Sequence, residues 1–331
     1  MKRRKFIYRS SQAGVAFSLL GMAACKQEKK AGTPEEAAQA AAEEPAENIP
    51  FFKLSLAQWS IHNMIREDGL DPYRFAEKAK AWGFSGLEYV SQLYDDELKP
   101  TSFSEEAMQR FVDRSNEEAR KHGLQNVLIM IDHQGDLATT SEAERIAAVE
   151  KHKIWVDAAA ALGCHSVRVN LNGSSDPESW ISNSIDGLTR LATYAKGKGV
   201  NVLVENHGGL SSNASMLARV IDRVGMENCG TLPDFGNFCI RDSDSGCVEE
   251  YDRYMGVSEL MPYAKAVSAK SNDFDAAGNE IRIDYARMLK IVKNAGYKGF
   301  IGVEYEGKEL GEEAGIIATR DLLLKVAKQI S

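Results

Sequence analysis

Of the chain's 331 residues, Phe51–Ser331 makes up 281, enough for one large domain or two small ones. With 44% hydrophobic and 27% charged residues it can build a full core, and a mean hydropathy of −0.33 excludes a polytopic membrane protein. The formal charge of −8 becomes −13 once a leader holding Lys2, Arg3, Arg4, Lys5 and Arg9 and no acid is removed, so the body does not attract a polyphosphate backbone and no nucleic-acid partner is expected.

Met1–Ala24 has a basic start, then an apolar run from Ala13 to Ala24 that is too short to span a bilayer, and reads as a signal peptide. Its Arg3-Arg4-Lys5-Phe6-Ile7 resembles the twin-arginine export motif, and Ala23-Ala24 before Cys25 resembles a lipoprotein processing site at which Cys25 is lipidated. The expected location is periplasmic, with membrane contact only through that anchor. Lys26–Pro50 holds seven Ala, six Glu, three Lys and three Pro with no apolar periodicity, so residues 25–50 read as an anchored, solvated tether.

From residue 51 onward, short β-rich runs alternate with stretches of helical spacing. In chain order they are Lys53–Gln58, helix Pro72–Trp82, Ser85–Val90, helix Glu105–Lys121, Gln125–Ile131, helix Glu142–Leu162, Ser166–Leu171 and helix Ile185–Lys198. Val200–Glu205, helix Ser215–Val224, Gly230–Asp234, Ala266–Lys270, helix Asp284–Ala295, Phe300–Glu304 and helix Glu313–Ile330 follow. Most of the helices end at a glycine, among them Gly123 and Gly163, which suits the left-handed residue that closes a helix. About eight βα units in this length match a single (β/α)8 TIM barrel over 51–331. Periodicity alone also allows a doubly wound open sheet, but the first turn, Gln58-Trp59-Ser60-Ile61-His62, has no glycine-rich phosphate loop. Cys164, Cys229, Cys239 and Cys247 show no zinc spacing; Cys239 and Cys247 are either a bridge or two free thiols in one loop.

In such a barrel the chemistry sits where strands run into their following loops. Those ends carry Gln58 and Trp59, Glu88, Asp132 and His133, Arg168, Asn170 and Asn172, Glu205 and His207, Asp234 and Asn237, Lys270, and Glu304 with Glu306. Glu205, Asp234 and Glu304 would converge, and converging buried carboxylates share protons, pair with local cations or hold a divalent metal. A metal is the simplest answer: Mn, Co, Mg or Zn. His207, two residues past Glu205, would face the same way. Trp59, Glu88, His133, Arg168, Asn170 and Asn237 are the candidate substrate contacts. His62, His122, His152 and His165 fall in loop or helical contexts with no chemical role expected, and Glu306 reads as part of a solvated helix entrance.

The segments Val202-Leu203-Val204-Glu205-Asn206-His207-Gly208-Gly209, Pro233-Asp234-Phe235-Gly236-Asn237-Phe238, Val267-Ser268-Ala269-Lys270-Ser271-Asn272-Asp273 and Gly302-Val303-Glu304-Tyr305-Glu306-Gly307 resemble the sugar phosphate isomerase/epimerase superfamily, the xylose isomerase-like TIM barrels. The resemblance implies a divalent metal held by Glu, Asp, His and Glu at the ends of strands five to eight. Here these positions are Glu205, Asp234, Ser268 and Glu304, so the chain departs from the pattern at Ser268, and Asn237 stands where the family has a strand-six histidine. Glu205-x-His207 resembles the family's dehydratase branch, which acts on 3-dehydroshikimate. The histidine-rich three-metal site of the DNA-repair branch has no match.

Enolisation of a sugar at such a centre needs a base, for which Glu205, His207 and Glu304 are candidates, and a cation to stabilise the enolate, for which Lys270 is the candidate. Proton return to the opposite face epimerises, return to the neighbouring carbon isomerises, and loss of a β-substituent makes a lyase. An exported protein meets free sugars rather than sugar phosphates. The expected activity is therefore isomerase or epimerase action on a non-phosphorylated sugar or keto-sugar. The alternatives are a 3-keto-sugar lyase, hydratase or dehydratase, and a non-catalytic sugar-binding lipoprotein.

Overall fold

A computed structural model describes residues 50–330 except position 245; the expected signal peptide, lipidated Cys25 and tether lie outside the described residues. Ten strands occur among them: β1 (Lys53–Ala57), β2 (Gly86–Val90), β3 (Gln125–Ile131), β4 (Ser166–Val169), β5 (Asn201–Glu205), β6 (Cys229–Leu232), β7 (Cys239–Ser243), β8 (Gly246–Glu250), β9 (Val267–Ser271) and β10 (Phe300–Tyr305). All but β7 and β8 form one parallel sheet in the order β6-β5-β4-β3-β2-β1-β10-β9. The two ends meet: the Ser268 N–H donates to Pro233 O at 2.9 Å, and Phe235 and Lys265 N–H donate to Ser268 O and Thr231 O at 3.1 Å. The sheet thus closes into the expected (β/α)8 barrel rather than an open sheet.

Each barrel strand is followed by a helix: α1 (Phe75–Ala81), α2 (Glu105–His122), α3 (Glu142–Leu162), α4 (Pro177–Lys196), α5 (Ala214–Val224), α6 (Arg253–Leu260), α7 (Tyr285–Asn294) and α8 (Glu312–Gln329). Local chemistry sets their ends. The Ala107 N–H donates to the Ser104 side chain at the start of α2, and Ser179 N–H donates to Asp176 with Pro177 in the first helical position of α4. Gly123 and Gly163 close α2 and α3 at φ of 65° and 74°.

The sheet's outer face is apolar: Val167 and Val169, Val202 and Val204, Val267 and Ala269, and Ile301 and Val303 are all buried, in step with the period of two along a strand. The alternate positions point inward and are polar, namely Ser55, Glu88, Arg168, Glu205, Ser268, Lys270 and Glu304, all buried. Space inside is tight. A Cβ on Gly302 would lie 2.5 Å from Glu88 Oε2, so only glycine leaves room for that carboxyl.

Three features differ from the sequence expectation. Helix α4 begins at Pro177 rather than Ile185, α6 was not anticipated, and an exposed antiparallel hairpin, β7 with β8, follows the sixth barrel strand. Cys239 and Cys247 are disulfide-bonded across that hairpin with Cα atoms 5.7 Å apart, while Cys164 and Cys229 are buried free thiols.

Candidate active site

Glu205 at the end of β5, Asp234 two residues past β6 and Glu304 in β10 each bring a carboxylate oxygen to within 4.8 Å of the other two. Each is held by its own donors. Asp234 Oδ1 accepts from the Gly236 and Asn237 N–H groups at 2.8 Å, and its Oδ2 accepts from Ser268 Oγ at 2.6 Å. The same hydroxyl lies 3.3 Å from Glu304 Oε2, and Lys270 Nζ donates to Glu304 Oε1 at 2.8 Å. Asn237 Nδ2 donates to Glu205 Oε1 at 3.1 Å. Arg168 donates through Nη1 to Asp132 at 2.8 Å, and its Nε lies 2.8 Å from Glu205 Oε2 without aligning as a hydrogen bond. That leaves a buried carboxylate oxygen on Glu205 with no hydrogen-bond donor.

Four buried carboxylates (Asp132, Glu205, Asp234, Glu304) thus face two buried cations (Arg168, Lys270). The deficit is two charges, which two protons or one divalent cation would balance. Burial, reinforced by the charge of Glu304 and opposed by Arg168, pushes the Glu205 carboxyl to about 7. Burial and the charge of Glu205, opposed by Lys270, push Asp234 to about 7. At Glu304, Lys270 outweighs burial and holds the group below the usual carboxylate range. Hard oxygen donors, an unsatisfied Glu205 oxygen and a two-charge deficit fit a divalent metal. Ser268 stands at the position that is histidine in the resembling family; its one O–H donates to Asp234 with Glu304 in reach as the alternative acceptor, so a metal there would have three protein ligands and open positions.

Above the carboxylates opens a cavity of about 490 Å³, lined by Trp59, Asp132, His133, Arg168, Asn170, His207, Glu304 and Glu306, with Gln92, Gln134 and His152 toward the loops after β2 and β3. Of the residues expected at the site, Glu205 and Asp234 lie fully buried beneath the lining, and Glu88 and Gln58 do not line it either. Glu88 lies deeper, accepting from Ser55 Oγ at 2.6 Å, and burial pushes its carboxyl to about 8. Gln58 is tied to Tyr94 and to the backbone of Pro72 and Val90. Lys270 sits behind Glu304 rather than in the lining, so it acts through that carboxylate. Asn237 likewise reaches Glu205 and not the cavity.

His207 lines the opening, and its crowded surroundings together with Arg168 and Lys270 lower its pKa, so the ring is neutral near pH 7. His133 reaches the cavity from a left-handed backbone, φ 59°. Trp59 lines one wall with His62 stacked on its ring at 4.3 Å, so part of that aromatic surface is already covered. Two residues that the sequence reading set aside are part of the site. Glu306 lines the cavity 3.3 Å from Lys270, and the Glu304-Tyr305-Glu306 alternation signals as much. His152 lines it from α3, in the stripe formed by Ala148, Val149, Trp155, Val156 and Ala159, where a lone polar residue is the signal.

The family model described as xylose isomerase-like TIM barrel matches residues 76–326. No curated protein matches the chain. Among solved structures, an L-ribulose 3-epimerase is similar at 17% identity and a TM-score of 0.64, covering 84% of this chain and 96% of that one. D-psicose 3-epimerase from Clostridium cellulolyticum H10, solved with D-tagatose, is similar at 14% identity and a TM-score of 0.63, covering 83% and 99%. An IOLI protein with a zinc atom is similar at 14% identity and a TM-score of 0.61, covering 84% and 99%. At these identities the likeness is one of fold. Closed parallel barrel, carboxylates at its C-terminal rim and a matching model over most of the domain together place the chain in the xylose isomerase-like TIM barrel family.

Proposed function

We propose that the chain is a divalent-metal-dependent sugar isomerase or epimerase that acts through an enediolate on a non-phosphorylated sugar or keto-sugar. The observation that carries this reading is the convergence of Glu205, Asp234 and Glu304 beneath a polar cavity, in a cluster that with Asp132 holds two negative charges more than Arg168 and Lys270 balance. The fold shared with two sugar 3-epimerases supports it. A cation at the three carboxylates would supply Lewis-acid polarisation of a carbonyl and its neighbouring hydroxyl. Mn²⁺, Co²⁺ and Mg²⁺ suit the hard donors, and Zn²⁺ is the ion of the IOLI neighbour.

The chain's own groups do the rest. Glu304, kept ionised by Lys270, faces the cavity and takes the α proton. Glu205, three strands away round the barrel and fully buried beneath the cavity, is the carboxylate proposed to return it. Among the described lining residues Arg168 is the guanidinium, and it is already committed to Asp132 and Glu205, so no cation is spare for a phosphate dianion. A keto-sugar lyase, hydratase or dehydratase is the second reading, favoured by neutral His207 at the opening, where it can move a proton at a β-hydroxyl.

Elemental analysis and solvent-exchange assays of the purified protein test this. The expected result is near-stoichiometric metal, lost in Glu205→Ala and Asp234→Ala, and solvent deuterium entering a ketose without elimination. An ultraviolet-absorbing enone product would favour the lyase instead, and sugar binding without exchange in any metal would leave a binding lipoprotein. The export signal and the anchor at Cys25 belong to the same proposal, because they take the protein away from cytoplasmic sugar phosphates. Cys25→Ala should move the protein from the membrane fraction to the soluble periplasmic fraction; unchanged membrane association would remove the anchor.

A further inference from the structure

His152 has one ring nitrogen engaged and one free. Its side chain is 2% exposed, and Nδ1 lies 2.8 Å from Ala148 O one turn earlier in α3. A carbonyl only accepts, so Nδ1 carries the hydrogen and Nε2 is left with a lone pair. Among the described residues no group pairs with Nε2, and the residue borders the cavity beside Gln134 and Asp132. Burial lowers the imidazole to about 4, so it stays neutral and does not become a second donor. The nearby lining is also rich in acceptors: Asp132 is a carboxylate, and Asp136 is an exposed one on the same loop.

We propose that His152 Nε2 accepts a hydrogen bond from a neutral hydroxyl of the bound substrate, in a subsite formed with the loop after β3, making His152 a specificity-determining residue. This rests on the sugar-substrate reading and narrows it. The part of the substrate beside α3 carries a donor hydroxyl and not a phosphate or carboxylate, because an anion there would meet Asp132 and an imidazole that offers it no N–H. The contact is one for orientation of the substrate, made by a neutral acceptor that takes no part in the proton transfer.

Calorimetric binding of D-fructose, D-tagatose and their monodeoxy derivatives tests the proposal on wild-type protein, His152→Phe and His152→Gln. The readout needs no turnover, so it stands apart from the solvent-exchange assay that tests the isomerase reading. Expected is an affinity loss of about tenfold in His152→Phe for the parent ketose, no further loss for the one deoxy derivative lacking the contacting hydroxyl, and recovery to within about threefold in His152→Gln, whose amide oxygen can accept. Equal affinities in wild type and His152→Phe would overturn it. So would a uniform loss across every derivative, which is the mark of a structural role, or binding of ketose phosphates but of none of the neutral sugars. Unchanged melting of the two variants shows that the fold survives the substitution.

Discussion

Glu304→Gln lowers turnover by about a thousandfold while leaving the fold in place. Glutamine keeps the shape of the side chain, and its one oxygen can still accept from Lys270, while its NH2 then stands where Ser268 Oγ had an acceptor. What disappears is the anionic oxygen that faces the cavity and can take a proton. Lys270 is left with Glu306 as its charge partner, at 3.3 Å and more exposed, so some loss of stability accompanies the loss of rate. Rates of deuterium entry into substrate, measured beside metal content, separate the two effects. A loss below tenfold with metal retained would take Glu304 out of the proton-transfer role and shift it to Glu205 or His207.

Cation affinity is expected to rise steeply with pH up to about 7 and to level off above it. Without a cation, Glu205 and Asp234 both titrate near 7, so below that pH each holds a proton that a divalent ion must displace. Two protons released make the affinity fall by as much as about a hundredfold per pH unit on the acid side. The same groups set the stability of the cation-free fold. Their pKa values are raised relative to the unfolded chain, so the stability they contribute is full below the ordinary carboxylate range and is lost as pH rises through about 7, with Glu88 adding to the loss near 8. Cation-free protein therefore melts lower at pH 8 than at pH 5.5, and Mn²⁺ stabilises it more at pH 8. Calorimetry in two buffers of different ionisation enthalpy measures the released protons; none released at pH 6.5 would remove the carboxylates from the cation site.

Strand ends were the legible part of this chain. The eight barrel strands could be read because their outer residues are apolar at a period of two, and their inward carboxylates stood out against that background. The β7–β8 hairpin was not legible because Arg241, Asp242, Glu249 and Glu250 lie on an exposed ribbon with no buried face to impose a pattern. The first two turns of α4, Glu178-Ser179-Trp180-Ile181-Ser182-Asn183-Ser184, are rich in weak helix formers, and tertiary packing of Trp180 and Ile181 overrides that preference. Glu88 looked like a site residue from its strand alone. Its depth follows from the opposing Gly302, a pairing between distant segments that only the closed barrel makes visible. His152 escaped for the converse reason: helix α3 reads as core, and nothing local says that the loop after β3 leaves a gap above it.

Closure of the sheet between β6 and β9 rests on a few backbone hydrogen bonds around Asp234 and Ser268, where the other strand pairs have continuous ladders. The barrel's weakest seam therefore runs through the carboxylate cluster, with Glu205 and Asp234 on one lip and Ser268, Lys270 and Glu304 on the other. Repulsion among unprotonated carboxylates works to pry the lips apart, and a divalent ion bound there would act as a rivet. Loading such an ion and tightening this seam would then be one cooperative event, so that the chemistry the site acquires and the stability of the barrel would rise together.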